Sequence, residues 1–135
     1  MICTPENITY LDPNQIFVFG SNLAGVHGAG AAKTAFKKFG AVWSEGRGLW
    51  GCSYAIPTKN MCLKTLPLEH IGDYVSLFLE DAAALRHLTF LVTPIGCGLS
   101  GYTPKDIAPL FLKGPRSPTS NIIFPRSFFR AMRGS

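Results

Sequence analysis

Two glycine-rich runs, each directly behind a short apolar run, constrain the fold of this chain most. The first, residues 20–32 (GSNLAGVHGAGAA), follows the apolar run IFVFG at 16–20. The second, residues 94–106 (PIGCGLSGYTPKD), follows TFLVT at 89–93. An apolar run, a glycine loop and then helix-forming residues read as strand, loop and helix. Glycine lets backbone N–H groups turn toward a ligand without steric cost. The start of a helix beside such a loop adds a field that favours anions. Two such loops describe a cleft for a phosphorylated ligand, with little positive side-chain chemistry in the loops themselves.

The remaining periodicity places these loops in an alternating pattern. Strands are expected at 16–20, 53–58 (SYAIPT, ended by Pro57), 89–93 and 121–124 (NIIF). A helix is expected at 29–39, stopped by Gly40, and residues 43–51 (WSEGRGLWG) read as loop. The clearest helix is 68–87: Leu68, Ile71, Val75, Phe78, Leu79, Ala82 and Leu85 recur at spacings of three and four. A short helix is expected at 104–112, with Thr103 as N-cap and Pro104 in its first turn. Pro109 sits where it would truncate that helix. Strands alternating with helices predict an α/β domain with a mixed, mainly parallel sheet and helices on both faces. Ligands in such folds bind beyond the carboxyl ends of the strands, where both glycine loops fall.

At 135 residues, with 47% hydrophobic and 16% charged residues, the chain is expected to form a single domain, 1–135, with its own core. No apolar run reaches the roughly 20 residues of a membrane span. No secretory signal is visible in MICTPENITY, and cytoplasmic residence is the expectation. Cys3, Cys52, Cys62 and Cys97 form no C-x-x-C pair, and His27, His70 and His87 are dispersed. Neither a zinc site nor a cofactor is expected; free thiols fit a reducing compartment. The terminal Arg133-Gly134-Ser135 carries no weight in this reading. The net charge of +5 suits an anionic partner. It is scattered along the sequence, with only Lys37-Lys38 and the trio Arg126, Arg130 and Arg133 near to clustering. A nucleic-acid-binding protein therefore ranks behind the other readings.

The first loop holds neither the P-loop signature nor the dinucleotide fingerprint: GVHGAG is G-x-x-G-x-G, and no G-K-[ST] follows. GLSGY falls short of the G-x-S-x-G elbow, because Tyr102 takes the last glycine's place. Cys97 with His27 as base would make a thiol nucleophile; a small loop-filling residue is the plainer account.

The run VFGSNLAGVHGAGAA resembles the first ligand loop of macrodomains, and IGCGLSGY resembles their phosphate loop. The latter, with YAIPTK, is most similar to the branch typified by terminal ADP-ribose protein glycohydrolase and to small bacterial and phage macrodomain-like proteins. The likeness covers roughly residues 16–125. It implies a three-layer macrodomain-like fold and ADP-ribose, or a related nucleotide, as ligand. Gly20, Ser21, Asn22, Gly28, Ala29, Gly30 and Ala31 would meet the ribose and pyrophosphate. Gly96, Cys97, Gly98, Leu99, Ser100 and Gly101 would wrap the phosphates, with Tyr102 over them. Phe124 and Phe128 are the candidates for stacking on adenine, or else core residues.

The resemblance also implies candidate catalytic residues. Lys59 matches the branch's attacking lysine, although phosphate binding or plain solvation accounts for it equally. Asn22 and His27 would act beside it at the distal ribose. Two departures weigh against turnover and against family-type adenine recognition. Ser100 stands where the branch has an assisting aspartate, and a serine cannot serve as carboxylate base near neutral pH. Nothing in residues 1–15 matches the family's G-D-I motif. The expected partner is ADP-ribose, free or on an ADP-ribosylated macromolecule, with a non-catalytic reader as the main alternative to hydrolysis of an ADP-ribosyl or terminal phosphate bond.

Overall fold

A computed structural model describes residues 2–133; Gly134 and Ser135 of the terminal tripeptide lie outside the described residues. The centre of the sheet is β1 (Gln15–Asn22), whose apolar residues serve both faces. Ile16 and Val18 pack into one buried cluster, Phe17 and Phe19 into another. A strand apolar on both sides has to be covered on both sides, which puts it in the middle.

The sheet order is β2-β3-β1-β4-β5, with β2 (Gly48–Trp50), β3 (Ser53–Lys59), β4 (Thr89–Val92) and β5 (Ile122–Ile123). β1 pairs parallel with both β3 and β4, and β4 parallel with β5. β2 pairs antiparallel with β3 at the edge. The chain steps from β1 to β3 in one direction and from β3 past β1 to β4 in the other. Right-handed crossovers then force the two connecting helices onto opposite faces. α1 (Gly30–Lys38) packs Ala32 and Ala35 against Phe17, Phe19 and Ala55. α2 (Leu68–Ala84) buries Ile71, Val75, Phe78, Leu79 and Ala82 against the other face, where each large apolar side chain contributes about 1.5–3 kcal/mol. The result is the expected three-layer α/β arrangement.

The boundaries differ from the sequence expectation where short elements are concerned. β1 runs past the expected 16–20 to Asn22, so Ser21 and Asn22 belong to strand rather than loop. The expected loop at 43–51 contains β2. The expected helix at 104–112 is broken at Ala108-Pro109 into α3 (Pro104–Ile107) and α4 (Leu110–Lys113). Its start is capped as foreseen: the Asp106 carboxylate accepts from the backbone N–H and the hydroxyl of Thr103 at 2.9 and 3.0 Å. A further helix, α5 (Arg126–Arg133), follows β5 and buries Phe128. Among the described residues no helix is long and apolar enough to cross a membrane.

Candidate functional site

The carboxyl ends of β1, β3 and β4 lie at the point where the connections diverge, and there the two glycine loops meet. A Cβ on Gly20 would stand 3.3 Å from the Gly96 nitrogen and 3.5 Å from the Ile95 Cα, so a side chain here would press on the second loop. Two threonines at strand ends fix the junction. The Thr58 hydroxyl lies 2.8 Å from Ser100 Oγ and 3.2 Å from the carbonyl of Ser21, tying one loop to the other. The Thr93 hydroxyl donates to the Val18 carbonyl at 2.7 Å, holding β4's exit against β1. Thr58 lies within YAIPTK and Thr93 within TFLVT, but the role of both follows from the convergence of three strands.

Between the loops is a cavity of about 200 Å³. Its walls are Gly20 and residues 29–32 from the first loop, Gly96, Gly98, Leu99 and Ser100 from the second, with Thr58, Thr93, Pro94 and Ile95 between them. No ionisable side chain lines it. Among the described residues the amides of Gly96, Gly98, Leu99 and Ser100 find no acceptor in the protein. The amides of Gly28 and Ala29, and of Gly30, Ala31 and Ala32 in the first turn of α1, likewise have none. Left-handed Gly96 (φ 73°) and Gly101 (φ 84°) shape the second loop. Such turns gather successive N–H groups into an anion-binding nest. A larger groove of about 1110 Å³ adjoins the cavity and shares Ala31, Thr93 and Pro94 with it. The remaining walls of the groove come mainly from the segment 3–8 and from α5.

The structure thus brings Gly20, Ala29, Gly30, Ala31, Gly96, Gly98, Leu99 and Ser100 to one cavity. The walls do not include Ser21, Asn22, Gly28, Cys97, Gly101 or Tyr102. Asn22 spends both ends of its amide within the loop: Nδ2 donates to the Val26 carbonyl at 2.8 Å and Oδ1 accepts from the Val26 N–H at 3.0 Å. Ser21 donates its hydroxyl to the Gly46 carbonyl. The Tyr102 hydroxyl donates to the Leu66 carbonyl at 2.8 Å and its ring packs on the core, so it does not cover the site. Phe128 is fully buried and Phe124 packs on Phe111; the aromatic residues on the groove are Phe129 and the buried Phe17.

Of the three candidate catalytic residues, none lines the cavity. His27 is 1% exposed and enclosed by Phe19, Phe36 and Trp43 rather than facing the cleft. Its Nε2–H donates to the carbonyls of Val42 (2.9 Å) and Glu45 (3.2 Å), which fixes the tautomer, and Nδ1 is buried without a partner. Lys59 ends β3, one residue beyond cavity-lining Thr58 and past an irregularity in the β1–β3 pairing, and is not among the cavity walls. Burial, and secondarily the Asp106 carboxylate, push the Cys97 thiol up to about 11, so it is protonated at neutral pH and is no nucleophile. Among the described residues no group of three or more His, Cys, Asp or Glu side chains could hold a metal ion.

No protein-family model matches the chain, and comparison with curated proteins and with solved structures finds no match.

Proposed function

We propose that this chain is a macrodomain-like module that binds ADP-ribose or a related nucleoside diphosphate, its two glycine loops offering main-chain amides to the diphosphate. One observation carries the reading: two sets of unpartnered amides belong to residues around a single cavity that no ionisable side chain enters. Fixed backbone dipoles bind a diphosphate without the desolvation cost of a buried lysine or arginine.

Binding without turnover is the better-supported form of this function. A glycosidic bond needs an acid or base within hydrogen-bond reach. The Ser100 hydroxyl is engaged with Thr58, and His27 is walled off by aromatic rings. Hydrolysis of an ADP-ribosyl bond is the second reading, supported by the position of Lys59 beside cavity-lining Thr58 and by its place in the YAIPTK run. Calorimetry with ADP-ribose, AMP and adenosine, beside mass spectrometry of an ADP-ribosylated substrate, separates the two. The binder takes up ADP-ribose, ignores adenosine and releases no product. Product release that disappears in Lys59→Ala would establish the enzyme instead, and absence of ADP-ribose binding would remove both.

A further inference from the structure

The arginine trio near the end of the sequence forms one row in space. Arg126, Arg130 and Arg133 are spaced four and three residues apart on α5, which puts them on one face of that helix. All three are exposed and all three line the large groove. Phe129 lines it with them, and the Arg133 guanidinium carbon lies 5.9 Å from the centre of its ring. The ion pair found among the described residues is Arg47–Asp81, so the three arginines have no carboxylate partner there. Glu6 is the acid on the groove wall and pairs with none of them.

We propose that this groove binds single-stranded nucleic acid, independently of the ligand taken by the glycine loops. From Arg126 to Arg133 the helix rises about 10 Å, a length that spans successive phosphates of a strand rather than a single one. A row of cations along that length fits a chain of phosphates, whereas a single phosphate would need the arginines to converge. The helix dipole favours Arg130 and Arg133 in the last turn but leaves Arg126 unexplained. Arg126 occupies the first turn, where the helix dipole disfavours a cation, and no acid offsets it there. Phe129 adds the π-face on which a base stacks, the second component of sequence-tolerant single-strand sites. Hydroxyls of Thr34 and Ser127 on the same walls complete a phosphate- and sugar-binding surface. An acidic peptide would satisfy the arginines but not the half-buried ring of Phe129.

The test is fluorescence anisotropy of a labelled oligothymidylate with the full chain, over a salt series beginning near 50 mM. Three phosphate contacts predict a slope of log affinity against log salt of about −2. Arg130→Glu with Arg133→Glu should weaken binding tenfold or more and reduce that slope by about 1.4; circular dichroism checks that the variant is folded. Phe129→Leu should weaken binding with the slope unchanged. Absence of binding at the lowest salt, unchanged affinity in the folded double variant, or competition by polyglutamate as effective as by unlabelled oligonucleotide would each overturn the proposal. ADP-ribose titrated into the same proteins keeps the two claims apart. Oligonucleotide binding without ADP-ribose binding leaves the groove standing and removes the diphosphate reading, and the reverse result removes the groove.

Discussion

Replacing Gly96 by alanine should be the costliest single methyl group that can be added to the second loop. Gly96 has φ 73°, and an alanine held there pays about 1–2 kcal/mol for the left-handed backbone. Its Cβ would also stand 2.9 Å from Cδ1 and 3.2 Å from Cγ1 of Ile107, a fully buried residue of α3. Overpacking of that kind adds about 1–3 kcal/mol, for a total of roughly 2–5 kcal/mol. Gly101 supplies the control, because its φ is 84° and a Cβ there meets nothing within 4 Å. Gly101→Ala should therefore cost the backbone part alone. Ile107→Val removes the atom that the new methyl group strikes. On its own it should cost about 0.5–1.5 kcal/mol, and in the Gly96→Ala background it should cost less or stabilise. Urea unfolding of the two single variants and the double variant measures the coupling. Equal losses for Gly96→Ala and Gly101→Ala, or strictly additive effects of Gly96→Ala and Ile107→Val, would refute the close approach of the loop to α3.

Three further expectations concern the junction and its surroundings. Thr58→Val keeps the shape but deprives Ser100 Oγ and the Ser21 carbonyl of their shared partner, and should cost about 1–3 kcal/mol in denaturant unfolding while weakening ADP-ribose in calorimetry. The Cys97 thiol, raised from 9 to about 11 in the folded protein, should react with iodoacetamide at pH 8 far more slowly than exposed Cys52 and Cys62, as peptide mapping would show. The unfolded thiol ionises first, so this group's share of stability is intact below pH 9 and declines as pH rises from 9 through about 11. His27→Leu leaves the carbonyls of Val42 and Glu45 without their donor; it should lower unfolding stability by about 1–3 kcal/mol without the loss of ADP-ribose binding expected of a cleft residue.

α2 was legible because its apolar residues recur at spacings of three and four, and β1, β3 and β4 because each is a short, almost continuously buried run. The two glycine loops follow β1 and β4. β2 escaped notice because a three-residue edge strand between glycines has no period to read, and its pairing with β3 supplies what its sequence does not. α5 escaped because RSFFRAMR buries Phe128 alone, too little for a stripe. Thr58 and Thr93 are ordinary strand residues until three strand ends converge. Conversely, Asn22 ends β1 and His27 follows in the loop that leads to the cavity, but the residues that wall it are the small ones beyond them. A polar side chain in a tight loop is as readily drawn to the loop's own amides and carbonyls as to a ligand, and sequence does not distinguish the two.

Titration of uniformly ¹⁵N-labelled protein with ADP-ribose, followed by amide correlation spectra, tests the diphosphate site most directly. The amides of Gly96, Gly98, Leu99 and Ser100, with those of residues 28–32, should move furthest, and Gly98→Val should abolish the response in a folded protein. Spectra unchanged at saturating ADP-ribose, or shifts confined to the Trp43 side of the molecule, would contradict the assignment.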